Sequence, residues 1–213
     1  MCAGHDPQPG PDRLRTFEEI YVQAGRDFTA IPWAALAPHP ALVAWLDPRP
    51  PPAGDPALIV GCGLGDDAEE AARRGYQVTA FDLSPTAIGH CRDRFAGSAV
   101  DYQVADLFQL PAGWAARFAL VVEIRTLQSL PLPQRAAATA AMAAPVRPGG
   151  RVFVHCLGRD DDEVPATRPW PVSRRELGGF AAAGLAETEF ADQPASPRNE
   201  RTFTAVYTRP EPG

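Results

Sequence analysis

The chain has 213 residues, 45% of them hydrophobic, and a formal net charge of −6. That length supports one domain with a sizeable core. The acidic balance argues against a nucleic-acid partner, and no run approaches the roughly 20 apolar residues of a membrane span. All 20 basic residues are arginine, which excludes a Schiff-base lysine and the lysine of a standard P-loop.

In chain order, residues 1–13 are rich in Pro, Gly and Asp and read as a disordered N-terminus. They lack an apolar signal core, so the expected location is cytoplasmic. In "LRTFEEIYVQA", residues 14–24, Leu14, Phe17, Ile20 and Tyr21 recur near helical spacing. A short helix over 40–46 is ended by the prolines of 48–52. Residues 14–53 therefore form an N-terminal cover segment, and 54–209 form the main domain. There the pattern alternates. Strands are expected at 57–60, 76–82, 100–105, 118–124, 151–157, 187–191 and 201–208. Helices are expected at 65–74, 84–95, 133–144 and 173–183. Such alternation gives an α/β fold with a mainly parallel sheet. No helix separates the last two strands, so they should pair antiparallel. Ser84 followed by Pro85 is a helix start. Cys2, Cys62, Cys91 and Cys156 have no CxxC spacing, and the four histidines form no ligand motif; no metal is expected.

The stretch "LIVGCGLGDDAEE" places Gly61-Cys62-Gly63-Leu64-Gly65 between the first strand and helix. Glycines there permit tight turning and close backbone approach to a ligand. The pattern is GxGxG rather than the GxGxxG of dinucleotide folds. Asp82 ends the second strand, 21 residues after Gly61, where a carboxylate accepts from ribose hydroxyls. That ribose belongs equally to NAD and to S-adenosylmethionine (SAM). Asp66 and Asp67 open the helix where a pyrophosphate would sit, and would repel it. They also complement the helix dipole whatever the ligand.

With "VADLF" and "FALVVEIRTLQSLP" further on, the chain resembles the class I SAM-dependent methyltransferases over roughly residues 20–208. Within them it is similar to the small-molecule group of thiopurine, thiol, halide and tellurite methyltransferases. The resemblance implies a Rossmann-like three-layer α/β/α sandwich whose seven-stranded sheet has an antiparallel last strand. It implies that the Gly61–Gly65 loop, with Cys62, Gly63 and Leu64, passes under the methionine part of SAM. Asp82 would hold the ribose, Leu83 would pack on the adenine, Asp106 would meet the adenine amino group and Leu107 would donate its N–H. It also implies a small-molecule acceptor, most simply a thiol or other soft or aromatic nucleophile, with O- or N-methylation as the alternative. A non-catalytic SAM-binding module and an NAD-dependent oxidoreductase are the rival readings.

The acceptor side is read from position. Glu123 ends the fourth strand beside the departing methyl. Arg125, in the apolar setting "VVEIRTLQSL", either pairs with Glu123 or faces an anionic substrate. Gln128 follows at the carboxyl edge of the sheet, where ligands bind. Phe28 and Trp33 belong to the segment that folds over SAM in the resembling family, so Trp33 is a candidate on both the cofactor and the acceptor side. His155 in the fifth strand is either a packed histidine or a catalytic one. Trp170, between prolines, either packs or lines the pocket. The oligomeric state is not legible.

Overall fold

A computed structural model describes residues 11–50 and 53–213. Residues 1–10 of the expected disordered N-terminus, and Pro51 and Pro52, lie outside them. Helix α1 (Pro11–Ala24) begins three residues before the expected start. A 3-10 turn (Phe28–Ala30) follows, then α2 (Pro40–Leu46), whose length matches expectation.

The main domain alternates as the sequence predicts: β1 (Pro56–Val60), α3 (Asp66–Arg73), β2 (Gln77–Asp82), α4 (Pro85–Arg94), β3 (Asp101–Val104), β4 (Phe118–Ile124), α5 (Arg135–Ala143) and β5 (Val146–Arg159). A two-residue strand β6 (Val172–Ser173), two single-turn helices α6 (Arg174–Leu177) and α7 (Gly179–Ala182), and the pair β7 (Ala186–Gln193) and β8 (Thr202–Thr208) complete it. The sheet order is β3-β2-β1-β4-β5-β8-β7, with β6 beside β5. Strands β1 to β5 are parallel neighbours, and β8 runs antiparallel to both β5 and β7. This is the expected Rossmann-like sandwich, and the antiparallel last strand lies inside the sheet rather than at its edge.

The side-chain period of two sends alternate residues of each strand to opposite faces. Leu58, Val60, Val121, Val152 and Val154 pack with Ala138 and Met142 of α5 and Phe180 of α7. Ala57, Ile59, Val78, Ala80, Leu120 and Val122 pack with Leu42 and Trp45 of α2, Ala68 of α3 and Ile88 of α4. Two cores on one sheet produce three layers. A third, small cluster joins Tyr21 and Ile31 to Leu64 and Ala87. Through it the N-terminal segment is packed onto the glycine loop and the start of α4. Glu18 strengthens that contact, accepting from Ser84 Oγ and Thr86 Oγ1, both at 2.5 Å.

Strand order reverses at β1, which lies between β2 and β4. In open α/β sheets the ligand crevice lies beyond the carboxyl ends of the strands at such a point.

Candidate active site

Beyond the ends of β1, β2 and β4 lies a cavity of about 730 Å³. One wall is the glycine loop. Gly61, Gly63 and Gly65 all have positive φ, at 59°, 54° and 90°, a region open to glycine at no steric cost. A Cβ on Gly61 would stand 2.6 Å from Thr126 Oγ1, and one on Gly65 2.6 Å from the Tyr102 hydroxyl. The loop's polar groups are held from the strand and helix that follow. Cys62 N–H donates to Phe81 O at 2.9 Å, Gly63 N–H to Asp82 Oδ2 at 3.0 Å, and Cys91 Sγ to Gly63 O at 3.2 Å. Arg94 donates to Leu64 O.

Asp82 Oδ1 accepts from Ser84 N–H at 2.9 Å. Burial raises its pKa, and the N–H groups of Ser84 and Gly63 act against that rise. A carboxylate offers about four lone-pair sites, more than its backbone donors Ser84, Gly63 and Leu83 use, which leaves capacity for a hydroxyl from the cavity. Asp106 caps the turn Leu107–Gln109, accepting from Phe108 N–H at 3.0 Å. Asp82, Leu83, Asp106 and Leu107 all line the cavity, with Gly61, Cys62, Gly63 and Leu64. Gly65 stands behind them as the N-cap of α3. These residues fit SAM: a wall free of Cβ atoms at Gly61 and Gly63, a carboxylate for a ribose and a second acid at the next strand end.

The acids opening α3 prove unequal. Asp66 is paired with Arg94 at 2.8 Å, so its charge is matched. The electrostatic case against a pyrophosphate therefore rests on Asp67. Its carboxylate accepts from His39 N–H at 2.6 Å. Burial pushes its pKa up to about 6, and Asp66 and Glu70 add to the rise.

The opposite wall comes from distant segments: Phe17, Tyr21 and Trp33 from the N-terminal region, Ile124, Arg125, Thr126, Gln128 and Leu130 after β4, and Arg168 and Pro169 before β6. Trp33 meets Phe17 and Tyr21 edge-on at 5.7 and 5.6 Å, and its Nε1–H donates to the Tyr21 hydroxyl at 2.9 Å. Arg125 is exposed to the cavity at φ 63°, with its N–H bonded to His155 O at 2.9 Å. No ion pair joins it to Glu123. Gln128 is buried and braces the wall: its Oε1 accepts from Leu157 N–H at 2.7 Å and its backbone O from Trp170 N–H at 2.8 Å.

Besides Gly65, four residues singled out in the sequence do not line this cavity. Glu123 is fully buried on the face of the sheet it shares with Val121. Its Oε1 accepts from Leu127 N–H at 2.8 Å and so fixes the turn after β4; burial raises its pKa to about 7. His155 is buried, 4.4 Å from the ring of His39, with Nδ1 on Thr204 Oγ1 at 2.9 Å. Burial, then His39 and Arg125, lower its pKa to about 3. Trp170 packs under Arg168, 4.9 Å from the guanidinium. Phe28 faces His90 at 5.1 Å in a separate hollow of about 310 Å³. Conversely, His39, Thr126 and Arg168 are in the lining and were not selected from sequence. Only the proline setting of "APHP" and "TRPWP" marks two of them.

Residues 57–150 match the family model described as a methyltransferase domain. The fold is that of the class I SAM-dependent methyltransferases. A ubiquinone biosynthesis O-methyltransferase of Aromatoleum aromaticum is 36% identical over 124 residues, 57% of this chain and 52% of that protein. One from Xanthomonas axonopodis pv. citri is 37% identical over 123 residues, 57% and 51% of the two chains. The chain thus spans about half the length of the curated relatives it matches. A solved structure concerned with conversion of a disulfide bond into a thioacetal group during echinomycin biosynthesis is 26% identical, with TM-score 0.75 over 94% of each chain. The Burkholderia thailandensis 1,6-didemethyltoxoflavin-N1-methyltransferase, solved with S-adenosylhomocysteine (SAH), has TM-score 0.70 at 20% identity over 98% of this chain and 94% of that one. No helix among the described residues is long and apolar enough to cross a membrane.

Proposed function

We propose that the chain methylates an acidic hydroxyl of a small aromatic molecule, using SAM. The observation that supports this best is a single cavity in which the glycine loop and Asp82 face a separate wall of aromatic and cationic side chains. SAM, when bound, supplies a methyl group already activated on a sulfonium. Gly61 and Gly63 admit close approach, Asp82 accepts from the ribose hydroxyls, and Asp106 takes the adenine end. Trp33 and Phe17 exclude water and limit how the acceptor can lie, which is where an in-line displacement gains most.

Among the described residues the acceptor wall offers no strong base. His39 Nδ1 accepts from Ala41 N–H at 3.2 Å, so the neutral ring carries its proton on Nε2. Burial, helped by Arg125, lowers its pKa to about 4, so at neutral pH it donates a hydrogen bond and takes no proton. Arg125 favours the ionised form of a neighbouring acceptor. An acidic phenol or enol suits such a wall better than an alcohol or amine.

The curated relatives named as O-methyltransferases favour oxygen. A thiol is the second reading, favoured by the full-length likeness to a structure from sulfur chemistry. The test is a screen of phenols, thiols and amines with SAM, reading SAH release, alongside calorimetry with SAM, SAH and NAD. Tighter binding of NAD than of SAM ends the proposal. Turnover confined to thiols moves it to the second reading.

A further inference from the structure

The cavity separates its charges. Its acids, Asp66, Asp67, Asp82 and Asp106, all follow β1, β2 or β3. Its cations, Arg125 and Arg168, lie in the opposite wall, after β4 and before β6. Elsewhere the arginines with a carboxylate in reach use it: Arg94 with Asp66, Arg135 and Arg159 with Glu176, Arg201 with Asp160 and Asp192. Among the described residues no carboxylate comes within 4.0 Å of Arg125 or Arg168. Two guanidinium groups thus face one cavity with no counter-charge among the described residues, in a protein of net charge −6.

Both are held in place by the fold. Arg125 takes a left-handed φ of 63°, which a non-glycine residue adopts only under strain. The turn is fixed by the Arg125 N–H bond to His155 O and by Thr126 Oγ1 on Val60 O at 3.2 Å. Arg168 lies 5.6 Å from the Phe17 ring and 4.9 Å from the Trp170 ring. Aromatic support of this kind holds the flat face and leaves the edge N–H groups free to grip an anion. Trp170 N–H on Gln128 O ties the Arg168 segment to the turn that carries Arg125. His39, in the same lining, adds a neutral N–H donor.

We propose that Arg125 and Arg168 form an anion subsite, and that the acceptor is a small aromatic acid whose carboxylate they hold while its ring meets Phe17 and Trp33. This rests on the reading of the cavity as a methyltransferase site. It adds a substrate class, aromatic carboxylates, chosen by charge. Bidentate guanidinium–carboxylate bonds are about twice as strong as neutral hydrogen bonds, so a neutral amide of the same shape should bind far less well.

The probes are 4-hydroxybenzoate and 4-hydroxybenzamide, titrated calorimetrically into the protein with and without SAH. The acid should bind at least about 10-fold tighter than the amide. Arg125→Gln and Arg168→Gln should each remove about 10-fold of the acid's affinity, spare the amide and leave SAH affinity within about 2-fold. Retained SAH binding shows that each variant is folded. Equal affinity for acid and amide, or binding of neither, in a protein that binds SAH overturns the subsite and spares the methyltransferase reading. A preference for the acid that both variants retain also overturns it. Preference lost in the variants, in a protein that does not bind SAH, supports the subsite and overturns the methyltransferase reading instead.

Discussion

The two walls of the cavity are built differently. The cofactor wall comes from one unbroken stretch, β1 to β3, in which each element is held by the next. The glycine loop is bonded to Phe81, Asp82, Cys91 and Arg94, all within about three dozen residues of it. The acceptor wall is gathered from three segments, around residues 17–40, 124–130 and 168–169. Its joints reach across long stretches of chain, among them Trp170 on Gln128, Arg125 on His155 and Thr126 on Val60. A wall of contiguous chain tolerates little change. A wall assembled from loops can vary its chemistry without touching the cofactor, because loops carry function on a rigid scaffold.

The largest expected effect falls on the contiguous wall. Asp82→Ala removes the acceptor of Gly63 N–H and Ser84 N–H together with the ribose contact. Charge-assisted hydrogen bonds contribute about 1.5–3 kcal/mol each, so SAH should bind at least about 100-fold more weakly by calorimetry. Unchanged binding would refute the assignment of Asp82.

Next is Gly61→Ala, which probes a place where the walls touch. Its Cβ would stand 2.6 Å from Thr126 Oγ1, with Thr126 also supplying the next nearest atoms, at 3.3 and 3.5 Å. With the strain of φ 59° added, urea unfolding should show a loss of about 2 kcal/mol. Thr126→Ala in the same chain should restore part of it. If the double variant is no more stable than Gly61→Ala alone, the contact does not couple the walls.

A pH effect follows from Asp67. The folded protein holds its proton up to about pH 6, whereas a free aspartate loses it near 3.8. Stability from this group is complete below about pH 4 and is lost as the pH rises through 6. Asp67→Asn keeps an acceptor for His39 N–H and removes the charge. It should match the wild type at pH 4 and be more stable by about 3 kcal/mol at pH 7.5. Equal stabilities at both values would show that Asp66, Glu70 and burial together leave the Asp67 pKa unshifted.

The smallest effect sharpens the boundary between the walls. Trp33 is 43% exposed, and its ring contacts contribute about 0.5–1.5 kcal/mol beyond burial. Trp33→Ala should weaken the acceptor a few-fold and leave SAH almost unchanged. An equal loss for both would assign Trp33 to the cofactor wall as well.

The sequence by itself determined the element order and the βαβ core, because periodicity and the Ser84 cap are local signals. It also marked the stretch that forms the glycine-loop wall of the cavity, since glycines that need positive φ and an acid ending a strand lie close together in it. Tertiary structure decided the rest. Glu123 and Arg125 are two residues apart, yet one is buried beneath the sheet edge and the other lines the cavity. A strand period of two would put both on one face; β4 ends at Ile124, and the left-handed turn at Arg125 redirects the second, and no composition rule encodes that turn. Phe28 and Trp33 looked alike as cover aromatics, but the 3-10 turn at Phe28–Ala30 sends one to α4 and the other to the cavity. Trp170 was the visible residue of its loop, while Arg168, supported on it, reaches the cavity. Pairings across a hundred residues depend on where the sheet brings loop ends together, and that placement is a property of the packed fold rather than of any stretch within it.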